Sequence, residues 1–160
     1  MTHHLAQINI GRFRRPYADP ANADFTAALD RVNALAEVQP GFVWRLVGEG
    51  NNATDIRPFD DPQMLVNMSV WTDLDALAGF VYRAPGHRDI MRRRREWFEP
   101  MDVFMALWWV PVGHLPTVAE GIARLDLLRR LGPTPNAFLF NRPFPPPGED
   151  AVAPVLDECA

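Results

Sequence analysis

Lysine is missing altogether from the 160 residues, and every basic side chain other than histidine is an arginine, 16 in all. A lysine Schiff base, a P-loop lysine and a Ser–Lys nucleophile pair are therefore excluded. Cysteine is nearly absent: Cys159, one residue from the C-terminus, stands alone, so neither an internal disulfide nor a cysteine-based metal cluster can form. No window reaches the roughly 18 apolar residues of a membrane-spanning helix. Residues Met1 to Gln7 lack a basic region followed by an apolar run of signal-peptide length, so a cytoplasmic location is expected. A basic excess is lacking too. The net charge of −4 is poor for nucleic acid, which demands a basic face. Glycine-rich phosphate loops, a Gly-x-Ser-x-Gly elbow and a paired-carboxylate pattern suited to glycoside hydrolysis are also missing.

What is present is an ordinary globular balance, 48% apolar and 22% charged, in a chain long enough to bury one real core. A first strand is predicted over His4 to Ile10, with Leu5, Gln7 and Asn9 on one face and Ala6, Ile8 and Ile10 on the other. After a loop with two prolines and three arginines, Phe25, Ala28, Leu29, Val32, Leu35 and Ala36 form one apolar helical stripe. Asn22 or Asp24 can cap its start, and Gln39-Pro40-Gly41 ends it. Strands are predicted at Phe42 to Val47, Met64 to Trp71 and Val103 to Val110, with a polar loop over Gly48 to Gln63. Thr72-Asp73-Leu74-Asp75 reads as a capping box opening a helix through Leu77, Phe80 and Val81. Ala84-Pro85-Gly86 breaks it, and a second helical piece runs from His87 to Phe98.

Thr117 to Glu120 is another capping box, for a helix ending at Leu131 before Gly132-Pro133. Ala137 to Phe140 suggests a short strand. The domain is expected to span residues 1–140, and residues 141–160 to form a proline-rich, extended or partly disordered tail. The order β-α-β-β-α-β followed by a helix is the α+β, ferredoxin-like split βαβ pattern with an antiparallel sheet. The third and fourth strands are apolar on both faces and must be covered on both. A second copy of the chain, packed sheet face to sheet face as a homodimer, would supply that cover.

The stretch Ser69-Val70-Trp71 through Leu74, Leu77, Phe80 and Tyr82 to His87 resembles the strand-helix-His segment of dimeric α/β-barrel proteins. Antibiotic-biosynthesis monooxygenases and haem-degrading monooxygenases belong to that superfamily. Trp97-Phe98, Leu107 to Pro111, Gly113-His114, Pro116 and Gly132-Pro133-Thr134-Pro135 are similar to a bacterial domain-of-unknown-function family placed in the same superfamily, over about residues 4–145. Haem-degrading members use an Asn on the first strand, a Trp on the second helix and a His about ten residues on. Asn9 matches the first, Phe80 stands in place of the Trp, and His87 arrives about one helical turn early. The resemblance implies a dimeric α/β barrel and a small enzyme that oxidises an aromatic or polyketide-like substrate without bound metal or flavin.

His87 is the candidate acid or base. Asn9, an amide on an apolar strand, needs a partner, which a ligand oxygen or backbone can supply; Gln7 and Asn67 raise the same question. Arg94 is the member of Arg92 to Arg95 that shares the apolar helix face, and it is a candidate partner for a carboxylate or phenolate. Phe80, Tyr82, Met91, Trp97 and Trp108 are candidate walls, with Trp71 as a further possibility. His114 lies in a loop and is read as fixing it. With no closely spaced ligand pair, no dedicated metal site is expected. Three alternatives stand beside the oxygenase: a haem-binding or haem-processing protein with His87 as axial ligand, a non-enzymatic ligand-binding or structural dimer, and a nonredox cyclase or isomerase using the same pocket.

Overall fold

The computed structural model describes residues 1–48, 50, 52–54 and 56–150; Cys159 and the end of the expected tail lie outside them. Strand β1 (His3–Arg12) is followed by α1 (Ala23–Glu37), β2 (Phe42–Arg45) and β3 (Met64–Trp71). Next come α2 (Leu74–Ala78), which runs into a π-helical turn (Gly79–Arg83), then α3 (Pro85–Trp97), β4 (Met105–Pro111) and α4 (Val118–Leu131). The strands form one antiparallel sheet in the order β2-β3-β1-β4, the ferredoxin-like arrangement. No helix among the described residues is long and apolar enough to cross a membrane.

Period-two alternation along β1 divides the molecule. Leu5, Gln7 and Asn9 face one side, opposite Trp71, Ser69 and Asn67 of β3 and Trp109, Leu107 and Met105 of β4. Ala6, Ile8 and Ile10 face the other, with Val66, Met68, Val70, Ala106, Trp108 and Val110. The first side is roofed by α1, α2 and α3. The second is closed by α4, through Leu125 and Leu128, and by flanking side chains such as Leu46 and Val103. Ala6, Ile8, Met68, Val70, Ala106 and Trp108 are fully buried within a single chain. The apolar sheet face expected to seek a second subunit is therefore not open. α4, placed by the sequence after the βαββαβ unit without a packing partner, folds back onto that face.

Gly121 permits the close approach. A Cβ there would lie 2.8 Å from Ile8 Cδ1 and 3.1 Å from Met68 Cε. At the surface of the same layer, the Trp108 indole donates to Glu120 Oε1 at 3.1 Å, while His114 Nε2 lies 2.8 Å from Glu120 Oε2. Glu120 thus ties the His114 loop to the core. Thr117 caps α4 as expected, accepting from the Glu120 amide at 3.1 Å.

Other local expectations shift. Asp73, not Thr72, caps α2, accepting from the Ala76 N–H at 2.8 Å. The Asn22 side chain makes no cap bond; it donates back to the Pro16 carbonyl at 2.9 Å. Strand β2 is shorter than predicted, and β4 starts later and runs to Pro111. The predicted strand at Ala137 to Phe140 reduces to three isolated bridges, Ala137 with Thr134, Leu139 with Arg142, and Phe138 exchanging backbone hydrogen bonds with Leu107 on the β4 edge. The proline-rich segment that follows is seated as far as Phe144, whose carbonyl accepts from the Trp109 indole at 2.8 Å.

Replacing Gly121 by Val should push α4 off Ile8 and Met68. Overpacking of this kind costs about 1–3 kcal/mol, which urea unfolding would read as a lower midpoint with an unchanged slope.

Candidate active site

Between the sheet and its helical roof lies a cavity of about 420 Å³. Its roof comes from α1 (Phe25, Leu29, Val32), Phe80 of the π turn, and α3 (His87, Ile90, Met91, Arg94). Its floor is the sheet, and there the wall turns polar, with Gln7, Asn9, Asn67 and Ser69 side by side. Leu65, Trp71, Met105 and Phe42 complete an otherwise apolar and aromatic lining.

The polar floor is a connected ladder. Gln7 Nε2 donates to Asn67 Oδ1 at 2.9 Å and to Ser69 Oγ at 2.8 Å. Asn9 Nδ2 donates to Gln7 Oε1 at 3.0 Å and to Asn67 Oδ1 at 3.2 Å. The Trp71 indole also donates to Ser69 Oγ, at 2.9 Å. These bonds use both N–H groups of Gln7 and both of Asn9. Left over among the described residues are the Asn67 NH₂ group and the Ser69 hydroxyl hydrogen as donors, and the Asn9 carbonyl oxygen as an acceptor. The floor thus has two donor groups to offer a ligand oxygen. Asn9, expected to meet a ligand oxygen or backbone through its amide, instead has that amide's N–H groups engaged by side chains of the ladder.

His87 faces this floor from α3. Pro85 has no N–H to offer the Val81 carbonyl four residues back, and the π turn ends there. His87 takes the vacated carbonyl, its Nδ1 lying 3.1 Å from the oxygen. A carbonyl only accepts, so Nδ1 carries the proton and Nε2 keeps its lone pair. The ring packs on Phe80 with centroids 4.6 Å apart, and Phe80 stacks on Trp71 at 5.3 Å. Burial pushes the imidazole pKa below its ordinary value and outweighs the opposing effect of the bond to Val81.

Asn9, Phe80, His87, Met91 and Arg94 therefore share one cavity. The other three predicted residues do not line it. Tyr82 is buried edge-on against Phe140 and lines a second cavity of about 360 Å³, which shares Phe104, Met105 and Phe140 with the first. Trp97 sits roughly a quarter-turn round α3 from the cavity stripe, packed on Phe25 at 5.5 Å, with the Arg93 guanidinium 4.8 Å above its ring. Trp108 pairs with Ala6 and so points to the α4 side of the sheet. His114 lies far along the chain beside Glu120, and among the described residues no group of three His, Cys, Asp or Glu side chains is placed to hold a metal ion.

Sequence reasoning missed Arg45. The β2–β3 register shifts between Phe42 and Trp44, a bulge that leaves Val43 without a register partner. Strict alternation would put Phe42 and Trp44 on one face and Arg45 on the other. With the bulge, Trp44 joins the α4-side core, while Phe42 and Arg45 both line the cavity.

Residues 4–154 match DUF3291, a domain of unknown function. The chain belongs to this family. Among solved structures it is similar to SnoaB, a cofactor-independent oxygenase from Streptomyces nogalater. An asparagine-to-alanine variant of that protein shares 23% identity over 71% of this chain and 98% of its own, with a TM-score of 0.48. A second SnoaB structure gives 21% identity over 74% of this chain and 98% of its own, with a TM-score of 0.44. A protein of unknown function from Nitrosomonas europaea gives 13%, 72%, 95% and 0.45 in the same order. At these identities the likeness is one of fold alone. No curated protein matches the sequence.

A His87 imidazole held neutral in the fold binds fewer protons than the unfolded chain does near its ordinary pKa of about 6.5. Its contribution to stability is complete above that pH and is lost as pH falls through the lower folded value. Melting temperature should drop on acidification below pH ~6.5, and His87→Gln should flatten that part of the profile.

Proposed function

We propose that this protein is a small enzyme that deprotonates a flat, weakly acidic organic substrate and delivers it to molecular oxygen, as a monooxygenase needing no bound metal or flavin. One observation carries this reading: a neutral imidazole with its Nδ1 proton engaged lines the same otherwise apolar cavity as two uncommitted donors, the Asn67 NH₂ group and the Ser69 hydroxyl. It also agrees with the chemistry implied by the sequence resemblance.

His87 Nε2 takes a proton from an acidic carbon beside a carbonyl or phenol. The charge moves onto the substrate oxygen, where the Asn67 amide donates to it. Such donors strengthen as the oxyanion develops, and the apolar walls keep competing water out. Oxygen then adds to the carbanionic carbon. One oxygen atom stays as a new carbonyl and the other leaves as water with the two hydrogens of the original CH₂ group. The imidazolium returns its proton to the departing oxygen. Gln7 and Asn9 position Asn67 and Ser69; Phe80, Met91 and Trp71 supply apolar wall against the planar substrate.

Anthrone, a tricyclic ketone with an acidic ring CH₂, is a suitable probe. Its conversion to the quinone, followed by absorbance in air-saturated buffer, should exceed the buffer rate, with one oxygen atom incorporated from labelled O₂. His87→Ala should lower kcat about 100-fold or more. An unchanged rate in that variant would remove the base assignment. A Soret band on haem addition that His87→Ala abolishes would replace the oxygenase reading with the haem one.

A further inference from the structure

Among the described residues, three arginines line the cavity, Arg45, Arg94 and Arg95, against one carboxylate, Glu99, and Glu99 is already paired with Arg12 at 2.9 Å. Arg45 is the most enclosed case that can be followed to its partners. Its side chain is only 9% exposed. Nε is bound to Glu37 at 2.7 Å, but Nη1 is buried with no hydrogen-bond partner. Nη1 of Arg94, which lies over the Phe104 ring at 5.8 Å, is buried and unpartnered as well. A guanidinium cannot shed its charge, and a buried N–H without an acceptor costs free energy that native structures rarely leave uncompensated.

The neighbour of Arg45 across the strands sharpens the point. Arg45 is register partner to Ser69, and Ser69 accepts from Gln7 and Trp71, leaving its hydroxyl hydrogen for a further acceptor. At this end of the floor, Nη1 of a permanent cation and a hydroxyl therefore offer hydrogens with no acceptor among the described residues. The bulge at Val43 turns Arg45 to this side of the sheet. The surrounding walls are aromatic: Phe42, Trp71 and Phe80.

We propose that Arg45 and Ser69 form a carboxylate-binding subsite of the cavity, so that the ligand is a planar aromatic acid whose carboxylate docks at β2 while its ring lies under Phe80. This rests on the reading of the cavity as a substrate site and adds to it the substrate's charge. The subsite sets specificity and orientation; it takes no part in proton transfer.

The probes are naphthoate and its neutral isostere naphthamide, with binding followed by quenching of tryptophan fluorescence, since Trp71 lines the cavity, and checked by calorimetry. The wild-type protein should bind naphthoate at least about tenfold more tightly than naphthamide, the scale of one charge-assisted hydrogen-bonded contact. Arg45→Met should abolish that preference and leave naphthamide affinity within about twofold, which also shows that the variant is folded. Arg45→Lys should keep part of the preference, because the charge remains while the planar fork is lost. Glu37→Gln, which removes only the outer salt bridge, should keep most of it. Wild type binding both probes equally, or Arg45→Met retaining the preference, overturns the subsite and leaves the cavity reading standing. Binding of neither probe to the wild-type protein overturns both.

Discussion

Gln7 sits at the centre of the sheet with 5% of its surface exposed, and its side-chain amide joins two strands. A buried amide must be satisfied, and three polar neighbours do this without water: Asn9 on its own strand, Asn67 and Ser69 on β3. The chemistry of the cavity follows from how that requirement is met. Four polar side chains bonded in a closed set have a fixed number of donors and acceptors. Once the internal bonds are made, the Asn67 NH₂ group, the Ser69 hydroxyl hydrogen and the Asn9 carbonyl oxygen remain among the described residues. The two free donors are what the floor can offer to an oxygen that carries or develops negative charge. Changing any rung alters which donors remain, even at a residue that never touches the ligand.

The roof is set by a different constraint. Pro85 starts α3 in a position that costs the helix nothing, since the first turn needs no N–H there. The same missing N–H leaves the Val81 carbonyl for the side chain of His87. One covalent feature thus fixes the imidazole tautomer and directs the lone pair to Nε2. Burial against Phe80 then keeps the ring neutral. The imidazole in the roof and the donors of the floor are thus held in place by backbone and packing.

Much of this was legible in the sequence, for reasons of periodicity. Alternation in β1 separates Gln7 and Asn9 from Ile8 and Ile10 by parity alone, and the α1 stripe and the α3 spacing of His87, Met91 and Arg94 are simple helical repeats. Family resemblance placed Phe80 and His87 together. The failures are equally physical. Trp108 was misplaced because a strand apolar on both faces carries no parity signal, so only its register with Ala6 assigns it to the α4 side. Trp97 was grouped with a helix face broader than the stripe that meets the cavity. Arg45 was invisible because a bulge resets the alternation, and nothing in Phe42-Val43-Trp44-Arg45 marks one. The place of α4 was missed because its capping box and apolar residues identify a helix without saying which face of the sheet it covers.

That last point bears on how the site is owned. With α4 seated on Ile8 and Met68 through Gly121, a single chain supplies a helical layer to each face of its sheet. The layer beneath Ala6, Ile8 and Trp108 holds the strands from behind, while the ladder in front bridges β1 to β3. Close-packed interiors transmit displacement instead of absorbing it. A shift of α4 would move Ile8, and with it the flanking residues Gln7 and Asn9, whose side chains set the donors of the floor. The geometry of the cavity thus depends on a layer that does not line it.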